Sequence, residues 1–289
     1  MSKANYIAPR TALFLPASNA RAIQKAKGLN ADMIILDLED AVKAEDKEAA
    51  RDAVRAVEGF GDRPFGVRVN AKDSEHWKAD LKAAKKSAAT HVIIPKVEKP
   101  DTLVDAGWRT GKPLLAMIET AAGVMNVGAI ASVSSSGWGT KLAGVIVGTN
   151  DLAASLKLPP AAGRAQMALA LQLVILAARG REIWALDGVF NRLDDAEGLA
   201  AECAEGRMLG FDGKTLIHPN QIDIARAAFE PSEAELADAR ALIAAATGGA
   251  ERYKDAMIEE MHVEQARLLL TRAGDITRDA PSIPPASTP

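Results

Sequence analysis

The chain is poor in cysteine, histidine and aromatic side chains, and each shortage excludes a class of protein. A single cysteine, Cys203, among 289 residues rules out an intrachain disulfide framework. Set in a segment of helical composition, it reads as a small buried packing residue. The four histidines, His76, His91, His218 and His262, lack the spacing of a helical zinc motif. No basic stripe or arginine-rich arm accompanies the formal charge of -3, so nucleic acid is not an expected partner. No stretch stays apolar long enough to cross a bilayer, and Met1–Arg10 contains no hydrophobic signal core. A soluble cytoplasmic protein with no membrane partner is expected.

Two familiar catalytic patterns are also missing. Gly213-Lys-Thr215 ends like a phosphate-binding loop, but the position where that spacing requires glycine is Met208. The serine-rich stretch 131–139 does not supply the Gly-x-Ser-x-Gly turn of a serine hydrolase and reads as a loop.

What the chain does contain is a regular alternation. Apolar runs lie near residues 12–16, 33–38, 65–69, 91–95, 114–118, 142–148, 183–189 and 214–218. Between them lie segments such as Glu45–Val57, Ser74–Lys85, Ala162–Ala178 and Asp195–Leu209, rich in Ala, Leu, Glu, Lys and Arg, which favour helix. Eight strand–helix units predict a (β/α)8 TIM barrel, with a doubly wound open sheet as the alternative, because alternation does not show whether the sheet closes. The expected organisation is a barrel over 1–230, a C-terminal helical extension and lid over 231–279, and a disordered tail over 280–289. Within the extension, one helix is expected from Pro231 to about Ala246, stopping at Thr247-Gly-Gly249 with a left-handed glycine cap. A second helical pattern covers 255–273, whereas 280–289 is too proline-rich and polar to pack.

Functional groups in such sheets gather where strands end. Polar groups recur at nearly every predicted end: Asp37, Glu39 and Asp40, then Arg68, Lys96, Glu119, Asp151, Asp187 and His218. Glu119 and Asp151 each follow an apolar run, and two hard oxygen donors there suit Mg²⁺. Arg68 can hold the carboxylate that such an ion chelates. Taken singly, Asp37, Glu39 and Asp40 can also cap a helix, Lys96 can be a solvated charge and His218 a loop histidine.

Several segments together resemble the citrate lyase beta-subunit-like enzymes of the HpcH/HpaI aldolase superfamily, which includes malyl-CoA and citramalyl-CoA lyases. They are Arg10–Asn19, Ala31–Val42, Arg68-Val-Asn70, Ile94–Val97, Ile118-Glu-Thr120, Gly148–Leu152 and Gly210–Pro219, in order across about residues 10–273. The resemblance implies a Mg²⁺-dependent homotrimer or homohexamer acting on a CoA thioester and a small 2-oxo acid. It implies Glu119 and Asp151 as metal ligands. Arg68 is then the catalytic and substrate-binding arginine, with Gly148, Thr149, Asn150 and Asp37 around the small acid and Glu39 a further catalytic candidate. Arg21 and Lys25 fall where the CoA phosphates bind, although Pro16-Ala-Ser-Asn19 departs from the family's Pro-Gly-Ser-Arg.

In the C-terminal segment Met257-Ile-Glu-Glu-Met-His-Val-Glu264, Glu259 stands where the lyases carry a catalytic aspartate. One extra methylene moves a carboxylate by about 1.5 Å, enough to weaken a catalytic contact by orders of magnitude. That departure, together with Gly148–Leu152 and Glu202-Cys203 before the Gly210–Thr215 run, resembles the (3S)-malyl-CoA thioesterase branch. The resemblance therefore implies carbon–carbon cleavage or condensation first and thioester hydrolysis second, with Glu259 as a proton-handling or water-activating group. A non-catalytic metabolite-binding barrel is the third reading.

Overall fold

Each of the eight apolar runs is a strand. The computed structural model describes residues 7–135, 139–247, 251–254 and 256–274. Its strands are β1 (Thr11–Pro16), β2 (Met33–Asp37), β3 (Phe65–Arg68), β4 (His91–Ile94), β5 (Leu114–Ile118), β6 (Leu142–Val147), β7 (Trp184–Asp187) and β8 (Gly213–Leu216). Each pairs in parallel with the next, and β8 returns to β1 through Thr11–Leu13 against Lys214–Leu216. The sheet therefore closes, and the open doubly wound alternative is excluded.

Strand alternation sorts the side chains into two layers. Met33, Ile35, Ile93, Leu115, Met117, Ile146 and Leu186 form one buried cluster inside the barrel. The intervening residues, among them Ile34, Leu36, Val67, Val92, Ala116 and Val145, belong to the larger cluster between sheet and helices. Extending the inward positions of β2, β3 and β5 to the strand ends places Asp37, Arg68 and Glu119 at the C-terminal mouth of the barrel.

The helices around this sheet are α1 (Ala20–Ala26), α2 (Lys47–Ala56), α3 (Trp77–Lys86), α4 (Pro100–Thr110), α5 (Ala121–Met125), α6 (Val127–Ala131), α7 (Thr149–Ser155), α8 (Ala168–Arg179), α9 (Ala196–Leu209) and α10 (Ile222–Phe229). Their starts follow capping chemistry: Asn19, Thr120 and Asp195 each accept a backbone N–H of the first turn through the side chain. Cys203 is fully buried on α9, and burial pushes its thiol up to about 11, as suits packing rather than reactivity.

Residues Ala8–Phe229 form one compact unit, and the described residues from Glu230 on belong to a second. In the second unit, α11 (Glu233–Ala245) starts from a Ser232/Glu235 capping box, while α12 (Glu260–Ala273) packs against it through Leu236, Ala239, Ala266 and Leu270. Two details differ from the sequence expectation. The front of the 255–273 pattern is not helical: β9 (Glu251–Tyr253) pairs antiparallel with β10 (Ala256–Ile258), and the helix begins only at Glu260. Apolar residues at 257 and 258 fit either period, and the three-residue run Ala256-Met257-Ile258 cannot decide between them. The cap of α11 is Ala246 in extended conformation; Gly248, Gly249 and residues 280–289 lie outside the described residues. Among the described residues, no helix is long and apolar enough to cross a membrane.

Candidate active site

The mouth of the barrel encloses a cavity of about 440 Å³, lined by Asp37, Arg68, Glu119, Gly148, Asn150 and Asp151 among others. Arg68, the last residue of β3, is its central cation. Its Nε and Nη2 donate to Asp37 Oδ1 and Oδ2 at 2.7 and 2.6 Å, a two-pronged pairing across adjacent strands. Nη1 lies 3.1 Å from Glu39 Oε2 and 3.4 Å from Asp40 Oδ2, and the guanidinium sits 5.0 Å from the Phe14 ring centroid. Burial opposes the charge on Arg68, but Asp37, Glu39 and Asp40 outweigh it and raise its pKa further.

Asp37 is fully engaged by these contacts. Besides the fork, its two oxygens accept the backbone N–H groups of Glu39 and Ala41 at 2.9 and 3.0 Å. It holds Arg68 and shapes the β2 loop. Glu39 accepts Lys96 Nζ at 2.8 Å through Oε1, while its buried Oε2 has no hydrogen bond, the Arg68 approach being an ion pair off the N–H axis. Burial raises the Glu39 pKa against the pull of Arg68 and Lys96.

Glu119 follows β5 and is 1% exposed. Oε1 accepts the Lys96 backbone N–H at 2.7 Å. Oε2 turns to the β6 end, where a Cβ on Gly148 would lie 2.1 Å away, so glycine at this position leaves room for the carboxylate. Burial, with Glu39 and Asp151 adding to it, pushes Glu119 up to about 7. Asp151 stands in the first turn of α7, immediately after Gly148-Thr-Asn150. Thr149 is buried, and Asn150 exchanges side-chain amide hydrogen bonds with Asn191 at 3.2 and 2.7 Å.

The donor set fits a hard divalent cation. Glu119 and Asp151 offer carboxylate oxygens at the end of neighbouring strands, and the buried Glu119 charge has only one N–H partner on Oε1. Among the described residues no three His, Cys, Asp or Glu side chains gather as a cage, so an ion here would complete its shell from water and a bound acid, as Mg²⁺ commonly does.

Arg21 and Lys25 are both exposed on α1, one turn apart. Glu259 belongs to the second unit, where it is exposed as the N-cap of α12 and shares a capping box with His262, whose Nδ1 accepts the Glu259 N–H at 2.9 Å. His218 is an exposed loop histidine bonded to Asn220, and Asp187 faces outward, bonded to Arg164 and Lys214.

The residue that sequence reasoning undervalued is Lys96. It bridges Glu39 and Glu119, one through its ammonium and one through its backbone, in a left-handed conformation with φ +50°. The preceding strand placed it at the mouth, but nothing in its residue type announces that conformation.

The chain is similar to known proteins along most of its length. A family model described as HpcH/HpaI aldolase/citrate lyase matches residues 10–219. A (3S)-malyl-CoA thioesterase of Cereibacter sphaeroides is 42% identical over 275 residues, covering 91% of this chain and 94% of its own. The citrate lyase subunit beta of Leuconostoc mesenteroides subsp. cremoris is 33% identical over 252 residues, 82% of either chain. The crystal structure of the protein CitE from Mycobacterium tuberculosis with magnesium, acetoacetate and coenzyme A superposes with a TM-score of 0.81 at 32% identity, covering 93% of this chain and 100% of that one.

Proposed function

Because the chain belongs to the HpcH/HpaI aldolase/citrate lyase family, a family of enzymes, we propose that it acts with Mg²⁺ on a malyl-CoA-like 3-hydroxyacyl-CoA. The observation that carries this reading is the joint placement of Glu119, Asp151 and Arg68 around one cavity: two acids for an ion and one cation for the carboxylate or oxyanion of the ligand. The magnesium in the CitE complex supports the choice of ion. Bound there, Mg²⁺ would supply Lewis-acid polarisation of a ligand oxygen.

The chain's own groups then divide the work. Asp37 fixes the Arg68 guanidinium, so that donor is oriented before substrate arrives. Of the three acids around Arg68, Asp40 is the one a substrate carboxylate displaces: its contact is the longest, 3.4 Å, and its side chain is 62% exposed. Thr149 and Asn150 flank the same ligand from the α7 end, and Arg21 and Lys25 offer exposed cations to phosphate groups.

Hydrolysis is the reading favoured by the greater identity to the thioesterases. In it, water oxygen bonds to the acyl carbon, the C–S bond breaks, a carboxylate takes the water proton and the thiolate of CoA leaves to be protonated. Glu259 is the carboxylate proposed for that proton. The second reading, reversible carbon–carbon cleavage to a 2-oxo acid and an acyl-CoA, is favoured by the citrate lyase beta relatives. Incubation of the full chain with (3S)-malyl-CoA and Mg²⁺ separates them. Malate plus free CoA is the expected outcome, glyoxylate plus acetyl-CoA moves the protein to the lyases, and an unchanged thioester overturns both.

A further inference from the structure

We propose that Lys47, a buried lysine outside the cavity, is a positioning residue that sets the spacing between the β2-end acids and Arg68; the inference rests on the reading of those groups as parts of the active site. Lys47 opens α2 and is 8% exposed. Its ammonium donates to the carbonyl of Leu38 at 2.6 Å, the carbonyl of Glu39 at 2.7 Å and Asn70 Oδ1 at 2.9 Å. An ammonium has three protons, and all three are used.

Every one of those acceptors lies in a strand-end segment. Leu38 and Glu39 directly follow Asp37, and Asn70 follows Arg68 by two residues. Asn70 closes the link, donating through Nδ2 to the Leu38 carbonyl at 2.8 Å and to Asp80 Oδ2 at 2.6 Å. Besides the backbone bond from Leu38 N–H to the Arg68 carbonyl at 2.9 Å, the β2 and β3 ends are thus tied through side chains at the cavity by Asp37–Arg68 and beside it by Lys47 and Asn70.

A role confined to stapling helices to the barrel does not account for this arrangement. That staple already exists: the buried Arg51–Asp80 pair at 2.7 Å joins α2 to α3, Asp80 accepts the Asn70 N–H at 2.9 Å after β3, and Ala50, Val54 and Leu81 pack in the core. Lys47 itself contributes no bond to α3. A buried ammonium is expensive to desolvate, and burial lowers the Lys47 pKa despite four neighbouring acids. The three strand-end contacts offset that cost. A misplacement of about 1 Å at a reacting centre costs about 10²-fold in rate, so control of this spacing is consequential.

The test is Lys47→Met in the full chain, which keeps much of the stem and removes the donors. With (3S)-malyl-CoA and Mg²⁺, kcat is expected to fall about 10- to 100-fold. Mg²⁺ affinity, assigned to Glu119 after β5 and Asp151 on α7, should stay within about threefold by calorimetry. In a cycle with Arg68→Lys, the two losses should fail to add, as coupled sites do. Independently of turnover, the Arg68 Nε–H proton should exchange with solvent faster in Lys47→Met than in the wild type by NMR. Unchanged kcat, fully additive losses, or an Arg68 Nε–H as protected as in the wild type overturns the proposal. A wild type that turns over no thioester defeats the functional reading instead, and the exchange measurement still decides the role of Lys47. If Lys47→Met does not fold, Asn70→Ser removes the same link and enters the same assays.

Discussion

Lys96 donates its backbone N–H to Glu119 Oε1 at 2.7 Å while its own φ is +50°. A non-glycine residue held there stores about 1–3 kcal/mol of strain, and its surroundings must over-determine it. The ammonium end of the same residue holds Glu39, so one side chain and one peptide group fix two acids. Lys96→Gly separates the two functions, because glycine takes this conformation freely and keeps the N–H. The variant should unfold at a denaturant midpoint equal to or above that of Lys96→Ala and bind Mg²⁺ within about threefold of wild type, while turnover falls at least about tenfold through Glu39. Loss of Mg²⁺ binding in Lys96→Gly would refute the backbone role.

Gly148 and Glu119 form a second close relationship. A methyl group on residue 148 would meet Glu119 Oε2 at 2.1 Å and its Cβ at 2.6 Å, distances that force the carboxylate aside. Gly148→Ala is expected to cost about 1–3 kcal/mol of stability by overpacking. Calorimetry should show Mg²⁺ affinity reduced at least about tenfold, since the oxygen offered to the ion has moved. A variant that folds and binds Mg²⁺ like the wild type would place the ion elsewhere.

In the proposed reading a substrate carboxylate displaces Asp40 from Arg68 Nη1, so removal of Asp40 should help binding. Asp40→Asn is expected to lower KM for the thioester about two- to fivefold with kcat changed less, the pattern of altered ground-state binding. Steady-state kinetics at several salt concentrations would check it, because a surface-facing charge loses influence as salt rises. An increased KM would mean that Asp40 contacts the ligand rather than yielding to it.

Much of this site is legible as a period-two pattern running off the ends of strands. Met33, Ile35 and Asp37 share one face of β2, and Leu115, Met117 and Glu119 continue one face of β5; the apolar members lie inside the barrel, so the polar ones emerge at its mouth. Closure of the sheet was not legible, because hydrophobic alternation reports burial of each strand and not the pairing of β1 with β8. Nor were the partners of Asp37, which a sequence reading assigns to substrate; its oxygens are taken by Arg68 and two backbone N–H groups, contacts that depend on loop conformation. Lys47 was hidden for a related reason. In a helical segment a lysine reads as solvated, and only the packing of α2 over two loops buries it.

The pKa of Glu119 links this geometry to stability. An ordinary glutamate titrates near 4.5, but burial chiefly, with Glu39 and Asp151 contributing, pushes Glu119 up to about 7, against the Lys96 N–H and Arg68. Between those values the native state keeps a proton that the unfolded chain has released. Metal-free stability must therefore fall as pH rises from about 4.5 to about 7, by about 3 kcal/mol from this group. Excess Mg²⁺ should reverse the trend: the ion binds the carboxylate, so its affinity rises with pH through about 7 as the proton is displaced. Glu119→Gln, neutral at every pH, should lose both the pH slope of this group and the response to Mg²⁺. Denaturant midpoints at about pH 5 and about pH 8, with chelator or with Mg²⁺, provide the measurement. A chelated wild type as stable at the higher pH as Glu119→Gln would show that the buried carboxylate carries no such burden, and would remove the electrostatic reason for a cation between residues 119 and 151.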